Sequence, residues 1–171
     1  MKIVKSIDLL NNELKRHIEK KSDKKIVFTN GVFDIIHPGH IELLEFAKNS
    51  GDILIVGINT DESIKRLKGQ VRPIFPLAER MEILSAIEYI DYIIPFSENT
   101  PLELIQGLIK VDTLIKGGDY TPDKVVGKKE VEENGGRLLL FQFKSNYSTS
   151  SIIDKIQDKS QNKSQNKSQD K

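Results

Sequence analysis

The sequence predicts an α/β domain: one doubly wound sheet of five parallel strands with helices on both faces. Three observations predict it. Short runs rich in β-branched residues recur along the chain, stretches with apolar residues three to four apart separate them, and the strand runs are continuously apolar rather than alternating. Strands of that kind are buried on both faces, and crossovers of helical length bring the chain back in the same direction. The arrangement is Rossmann-like, so a ligand is expected at the carboxyl ends of the strands, where strand order reverses. The 171 residues fit a single domain.

The elements follow in order. Ile7, Leu10, Leu14 and Ile18 mark an amphipathic helix, which the polar run 20–25 separates from the rest, so residues 1–25 read as helix plus linker. Strands are predicted at Ile26–Thr29, Ile53–Ile58, Tyr89–Ile94, Thr113–Lys116 and Leu138–Phe143. Helices are predicted at Ile41–Asn49, Glu62–Leu67, Leu77–Ile87, Leu102–Ile109 and Ser150–Ile156. Ile83, Leu84, Ile87 and Ile90 read as a core stripe beside the third strand. The main domain spans 26–158. Residues 159–171 carry the SQNK repeat, have no apolar side chain to offset the entropy of ordering, and read as a disordered tail.

Composition removes several function classes. A formal net charge of +1 supplies no field to recruit nucleic acid or an anionic membrane. The absence of cysteine excludes disulfides, thiolate metal sites and cysteine nucleophiles. No apolar run has the length of a membrane span and the N-terminal stretch lacks a signal-peptide core, so a cytoplasmic domain is expected. No GxGxxG, GxSxG or Walker pattern is present.

The loop after the first strand carries the strongest chemical signal. Thr29-Asn30-Gly31 forms a turn-prone strand end, Pro38 suits the first position of a helix, and His37 and His40 fall on one face at that helix entrance. The N–H groups and dipole of a helix N-terminus favour anions, phosphate above all, and two imidazoles add donors. Metal binding by the pair is disfavoured, because no third histidine, cysteine or HExxH pattern supports it.

With TNGVFD preceding HPGH, the chain resembles the HxGH-type nucleotidyltransferases. The segments LKGQVRPIFPLAERMEIL, VDTLIKGGDYTPDKVVGKKEV and NYSTSSII narrow the resemblance to the D-glycero-β-D-manno-heptose 1-phosphate adenylyltransferase family, over roughly Lys24 to Asp158. The resemblance implies transfer of the adenylyl group of ATP to heptose 1-phosphate, giving ADP-heptose and pyrophosphate for lipopolysaccharide or surface-glycan precursors. It implies Mg²⁺ held mainly by the ATP phosphates, with no dedicated protein metal site. A separate sugar kinase would supply the sugar phosphate. The family also tends toward homodimers, for which the apolar face of the N-terminal helix offers a surface.

Family roles carry over by position. Thr29, Asn30, Gly31 and Phe33 would line the first loop, while His37 and His40 would grip phosphate oxygens and stabilise transition-state charge. Lys68, also catalytic, and Arg72 would contact phosphates from a basic loop. Asn59 and Asp61 would meet sugar hydroxyls of the nucleotide, or Thr60 and Asp61 would merely cap the next helix. Asp34 would bind the sugar phosphate, touch the metal through water or only buttress the loop. Lys116, Gly117, Gly118, Asp119 and Tyr120 would bind the sugar phosphate, the glycines letting backbone approach the ligand; a plain Gly-Gly-Asp turn is the competing reading. Tyr147, Ser148 and Thr149 would bind nucleotide phosphates, or simply begin a helix with a Ser/Thr cap. Arg80 would pair with an acid at the surface or approach the nucleotide.

Two alternatives stand beside this reading. A cytidylyltransferase for glycerol phosphate or a phosphoamino-alcohol shares the fold, but its RTxGxST-like block is replaced here by FKSNYSTSS, which lacks the Arg and Gly. A non-catalytic nucleotide-binding module would tend to lose His37, His40 or Lys68, and all three are present.

Overall fold

The computed structural model describes residues 2–19, 24–118, 120–143 and 148–169, with 160–169 as backbone only. Asp119, Tyr147 and most of the expected linker therefore lie outside the described residues.

Five strands form one parallel sheet: β1 (Ile26–Gly31), β2 (Ile53–Asn59), β3 (Tyr92–Phe96), β4 (Thr113–Gly117) and β5 (Arg137–Phe141). Their order is β3-β2-β1-β4-β5, the doubly wound Rossmann-like arrangement, which reverses between β1 and β4. The helices are α1 (Ile7–Glu19), α2 (Pro38–Asn49), α3 (Asp61–Lys68), α4 (Leu77–Ser85), α5 (Leu102–Gly107), α6 (Lys128–Glu133) and α7 (Thr149–Gln169). Every residue of β2 is buried, as its unbroken apolar run requires. The pleat sends Phe28 into a core with Leu10 and Leu14 of α1, Leu104 and Ile105 of α5 and Val131 of α6. Val27 goes into the opposite core, with Leu43, Leu44 and Ala47 of α2 and Leu84 of α4.

An aspartate stands immediately before β2, β3 and β4, and each grips a single residue of a neighbouring strand twice. Asp52 donates its N–H to the Lys25 carbonyl (2.8 Å) and accepts the Lys25 N–H at Oδ2 (2.7 Å). Asp91 does the same with Leu54 (3.1 and 2.7 Å), and Asp112 with Ile26 (2.8 and 2.8 Å). These pairs satisfy strand-end groups that would otherwise be orphaned, and they fix register at the amino edge of the sheet. Burial alone would raise the Asp112 carboxyl pKa, but the Ile26 N–H and the Lys110 and Lys25 ammonium groups outweigh it and hold the value low.

Several boundaries differ from expectation. The third strand begins at Tyr92 rather than Tyr89, because Asp91 clamps Leu54 and the preceding residues complete the turn out of α4. Of the predicted stripe, Leu84 and Ile90 are fully buried while Ile83 is exposed. A 3-10 turn at Pro122–Lys124 and the short α6 had no counterpart in the apolar periodicity. The face of α1 proposed for a partner is occupied within the chain: Leu10 and Leu14 are fully buried in the domain's own core. α7 runs from Thr149 to Gln169. No helix among the described residues is long and apolar enough to cross a membrane.

Candidate functional site

The reversal of strand order between β1 and β4 opens a cavity of about 490 Å³ at the carboxyl ends of the strands. One wall comes from the β1–α2 loop. His37 is the residue before α2, its backbone extended, with Pro38 in the first turn, and its carbonyl accepts the N–H groups of His40 (2.9 Å) and Ile41 (3.4 Å). Three residues on, His40 returns to the same side, and the two imidazoles stack with centroids 3.8 Å apart and planes 21° apart. Phe33 packs on His40 at 5.2 Å.

Burial lowers the pKa of His37, and burial together with the neighbouring His37 lowers that of His40 to about 4, against a smaller opposing pull from Asp34. Both rings are therefore neutral at physiological pH and present N–H donors rather than full charges. The Nδ1 of His40 is buried without a hydrogen-bond partner, a donor or acceptor held in reserve.

The loop that delivers these rings is strained. Phe33 and Ile35 both take positive φ, 50° and 53°, which bulky and β-branched residues seldom adopt. Such a conformation persists only where surroundings enforce it. Arg80 is fully buried and donates to four acceptors: Val32 O (2.7 Å), Asn59 O (2.9 Å), Phe75 O (3.0 Å) and Asp61 Oδ1 (2.7 Å). Asp34 is equally enclosed, pairing with Arg72 at 2.8 Å and accepting from the N–H groups of Ile74 (2.8 Å) and Phe75 (3.0 Å). Its carbonyl accepts from Thr149 Oγ1 at 2.7 Å, tying the start of α7 to the same turn.

The remaining walls come from successive strand ends. Lys68 ends α3 and lies in the cavity with Arg72 and Leu67. Arg66 holds Asn99 Oδ1 at 3.0 Å and also binds the Ser97 carbonyl, placing Asn99 and Thr100 of the loop after β3 in the wall. From β4, Lys116 donates to Asn30 Oδ1 across the switch point (3.0 Å) and sits 5.5 Å from the Tyr120 ring centroid. Burial lowers its pKa to about 8. Ser148, Thr149 and Ser150 bring the α7 N-terminus to the opening; Ser148 Oγ accepts the Ser151 N–H, so this segment is a helix cap as well as a cavity wall.

Thus Asn30, Gly31, Phe33, His37, His40, Asn59, Lys68, Arg72, Lys116, Gly117, Tyr120, Ser148 and Thr149 share one cavity. Four expected residues do not line it. Thr29 lies inside β1, fully buried with its Oγ1 unpartnered. Asp61 is spent on Arg80 and the Leu77 N–H, and Thr60 caps α3, the helix-cap alternative. Asp34 buttresses the loop from behind. Gly118 takes φ +118° at the turn beyond the lining. Lys124, Asn99 and Phe143 line the cavity although the sequence reading gave them no role. The rule that ligands gather at strand ends would have pointed to Asn99; nothing local marks Phe143. Among the described lining residues there are four Lys and Arg, two His and no carboxylate. No group of three or more His, Asp or Glu among the described residues is placed to hold a metal.

A family model described as cytidylyltransferase-like matches residues 28–155. Similar curated proteins include bifunctional protein HldE of Geobacter metallireducens, 54% identical over 138 residues that make up 81% of this chain and 28% of that protein. HldE of Shigella sonnei is 50% identical over 138 residues, 81% of this chain and 29% of that one. The chain spans about three-tenths of the length of these relatives. Among solved structures, a lipopolysaccharide core biosynthesis protein from Thermoplasma volcanium is 27% identical, with a TM-score of 0.58 over 73% of this chain and 99% of that one. Pantoate–β-alanine ligase from Francisella tularensis, 17% identical with a TM-score of 0.54 over 88% of this chain and 69% of that one, shares the fold.

Proposed function

The chain belongs to the cytidylyltransferase-like family, and from that premise we propose that it is a nucleotidyltransferase joining the adenylyl group of ATP to heptose 1-phosphate. One observation carries the chemistry: a cavity at the switch point whose described lining offers two stacked imidazoles, two helix N-termini and four cationic side chains, with no carboxylate. Such a lining attracts anions and suits a substrate with many phosphates. The heptose assignment rests on the RPI, KGGDYTP and VVG blocks and agrees with the relatives bearing the name HldE.

In this reaction a phosphate oxygen of the sugar 1-phosphate attacks the α-phosphorus of ATP. The bond from that phosphorus to the bridging oxygen breaks, and pyrophosphate leaves with the electron pair. The attacking group is already an anion, so no protein nucleophile or strong base is needed, and catalysis reduces to positioning and charge stabilisation. His37 and His40 donate N–H groups to the phosphate oxygens as charge builds. Lys68 and Arg72 neutralise the triphosphate from one side, and Lys116, oriented by Asn30, meets the acceptor phosphate from the other. Mg²⁺, when bound, neutralises phosphate charge. The Asp34 carboxylate is already satisfied by Arg72 and two N–H groups, so the ion would travel on the nucleotide rather than in a protein cage. A sugar kinase supplies the acceptor, and ATP as donor places the activity in the cytoplasm.

The test is to incubate the purified chain with Mg²⁺, each nucleoside triphosphate in turn and a panel of sugar 1-phosphates plus glycerol phosphate. ADP-heptose with stoichiometric pyrophosphate is expected. Release of CDP-glycerol, or ATP binding with no pyrophosphate from any acceptor, would overturn the assignment.

A further inference from the structure

We propose that Phe143 is a positioning residue for the histidine pair, a spacer ring wedged between the end of β4 and the first turn of α2, and that Gly39 and Gly117 lack side chains to admit it. A Cβ built on Gly117 would lie 2.8 Å from Phe143 Cζ and 3.1 Å from its Cε2. One built on Gly39 would lie 3.3 Å from Phe143 Cδ1, and equally 3.3 Å from Cε1 and Nδ1 of His37. Cδ1 and Cε2 are opposite corners of the ring. A single phenyl group therefore fills the gap between the two glycines, one edge on the strand that carries Lys116 and the other beside the turn that carries His37.

The ring is itself held in place. Phe141, the last residue of β5 and two positions before Phe143, meets that ring edge-on at 5.2 Å and 87°. Phe141 in turn packs on Phe46 of α2 at 5.2 Å. The histidine helix is thus braced from β5 at both its third turn and its first. The structural consequence for Gly117 is specific. Its missing side chain is room for Phe143 and for Leu43, whose Cδ1 would be 3.1 Å from a Cβ there, rather than an opening for ligand to approach backbone. Moving the ring would shift His37 relative to Lys116, and an error on the order of 1 Å in reacting geometry costs about a hundredfold in rate.

The kinetic readout rests on the adenylyl-transfer reading; a magnetic-resonance readout does not. Phe143→Ala is expected to lower kcat about ten- to hundredfold with KM for ATP and sugar phosphate within a few-fold of wild type. Gly117→Ala should lower kcat comparably, and Gly117→Ala combined with the smaller Phe143→Leu should recover to within a few-fold of Phe143→Leu alone, a non-additivity expected only of touching residues. Losses that multiply in the double variant would mean the glycine serves ligand approach and would overturn the inference. So would a Phe143→Ala effect confined to KM, which would make the ring a substrate contact. Independently, the proton on His37 Cε1, assigned with His37→Gln, should shift in Gly117→Ala and return in the double variant. An unmoved resonance would refute the spacer role whether or not the chain turns over. A responsive resonance with no turnover by wild type would leave the spacer standing and remove the substrate assignment.

Discussion

Lys116 gives the sharpest test of the proposed anion capture in the cavity. Its ammonium is buried at the switch point with a neutral partner, Asn30 Oδ1 at 3.0 Å, and the face of Tyr120. Burial brings its pKa from 10.5 to about 8. If the charge is needed to capture a phosphate, kcat/KM follows the protonated fraction of the free protein: about one half at pH 8 and about one-eleventh at pH 9. The assay is initial pyrophosphate release at subsaturating sugar phosphate from pH 6.5 to 9.5. Lys116→Gln should give a low, flat profile over the same range. A wild-type profile flat to pH 9.5, or a break near 8 that survives in Lys116→Gln, would refute the reasoning. Stability should move the other way. Because the folded-state value is lowered, the buried charge opposes folding fully below about pH 8, and that cost fades between 8 and 10.5. Lys116→Met should accordingly raise unfolding free energy at neutral pH, by on the order of 1–3 kcal/mol, while abolishing anion capture.

Two further outcomes follow from the same geometry. On the proposed roles, in which each ring donates to charge that develops only in the transition state, His37→Ala or His40→Ala should reduce turnover by about two to four orders of magnitude with little change in the melting transition; equal loss of folding and activity would count against that role. Arg80→Met should cost about 3–5 kcal/mol in urea unfolding, because it leaves Asp61 and three carbonyls facing a buried apolar chain; a change below about 1 kcal/mol would show that water replaces the guanidinium.

The sheet, its five parallel strands and the histidine loop were legible because each is a local pattern: an apolar run, a period of three to four, a proline and two imidazoles at one helix entrance. The loops of the cavity were legible as a set through the rule of strand ends. Interior polar pairing was not. Arg80 reads as an ordinary charge on an amphipathic helix, and only the assembled fold shows that the loop after β1, the end of β2 and the segment before α4 converge their carbonyls on it. Asp34 and Asp61 read equally as ligand contacts or as loop and cap residues, because a carboxylate in such a loop is free until an arginine from elsewhere claims it. Gly117 invites the reading of close ligand approach, and the ring that fills its space comes from the segment after β5, beyond any local signal. The apolar face of α1 looked available for the reason that its own core partners are distant in sequence.

The three aspartates that precede β2, β3 and β4 lie at the edge of the sheet farthest from the cavity, and their position divides labour within the fold. Strand alignment is locked at the bottom by side chains that no reaction uses, which leaves the upper loops free to store backbone tension without loosening the scaffold. Selection for a new acceptor can therefore act on the top while the base stays unchanged. Conversely, engineering for heat resistance should begin at the base, where added rigidity carries no penalty in turnover.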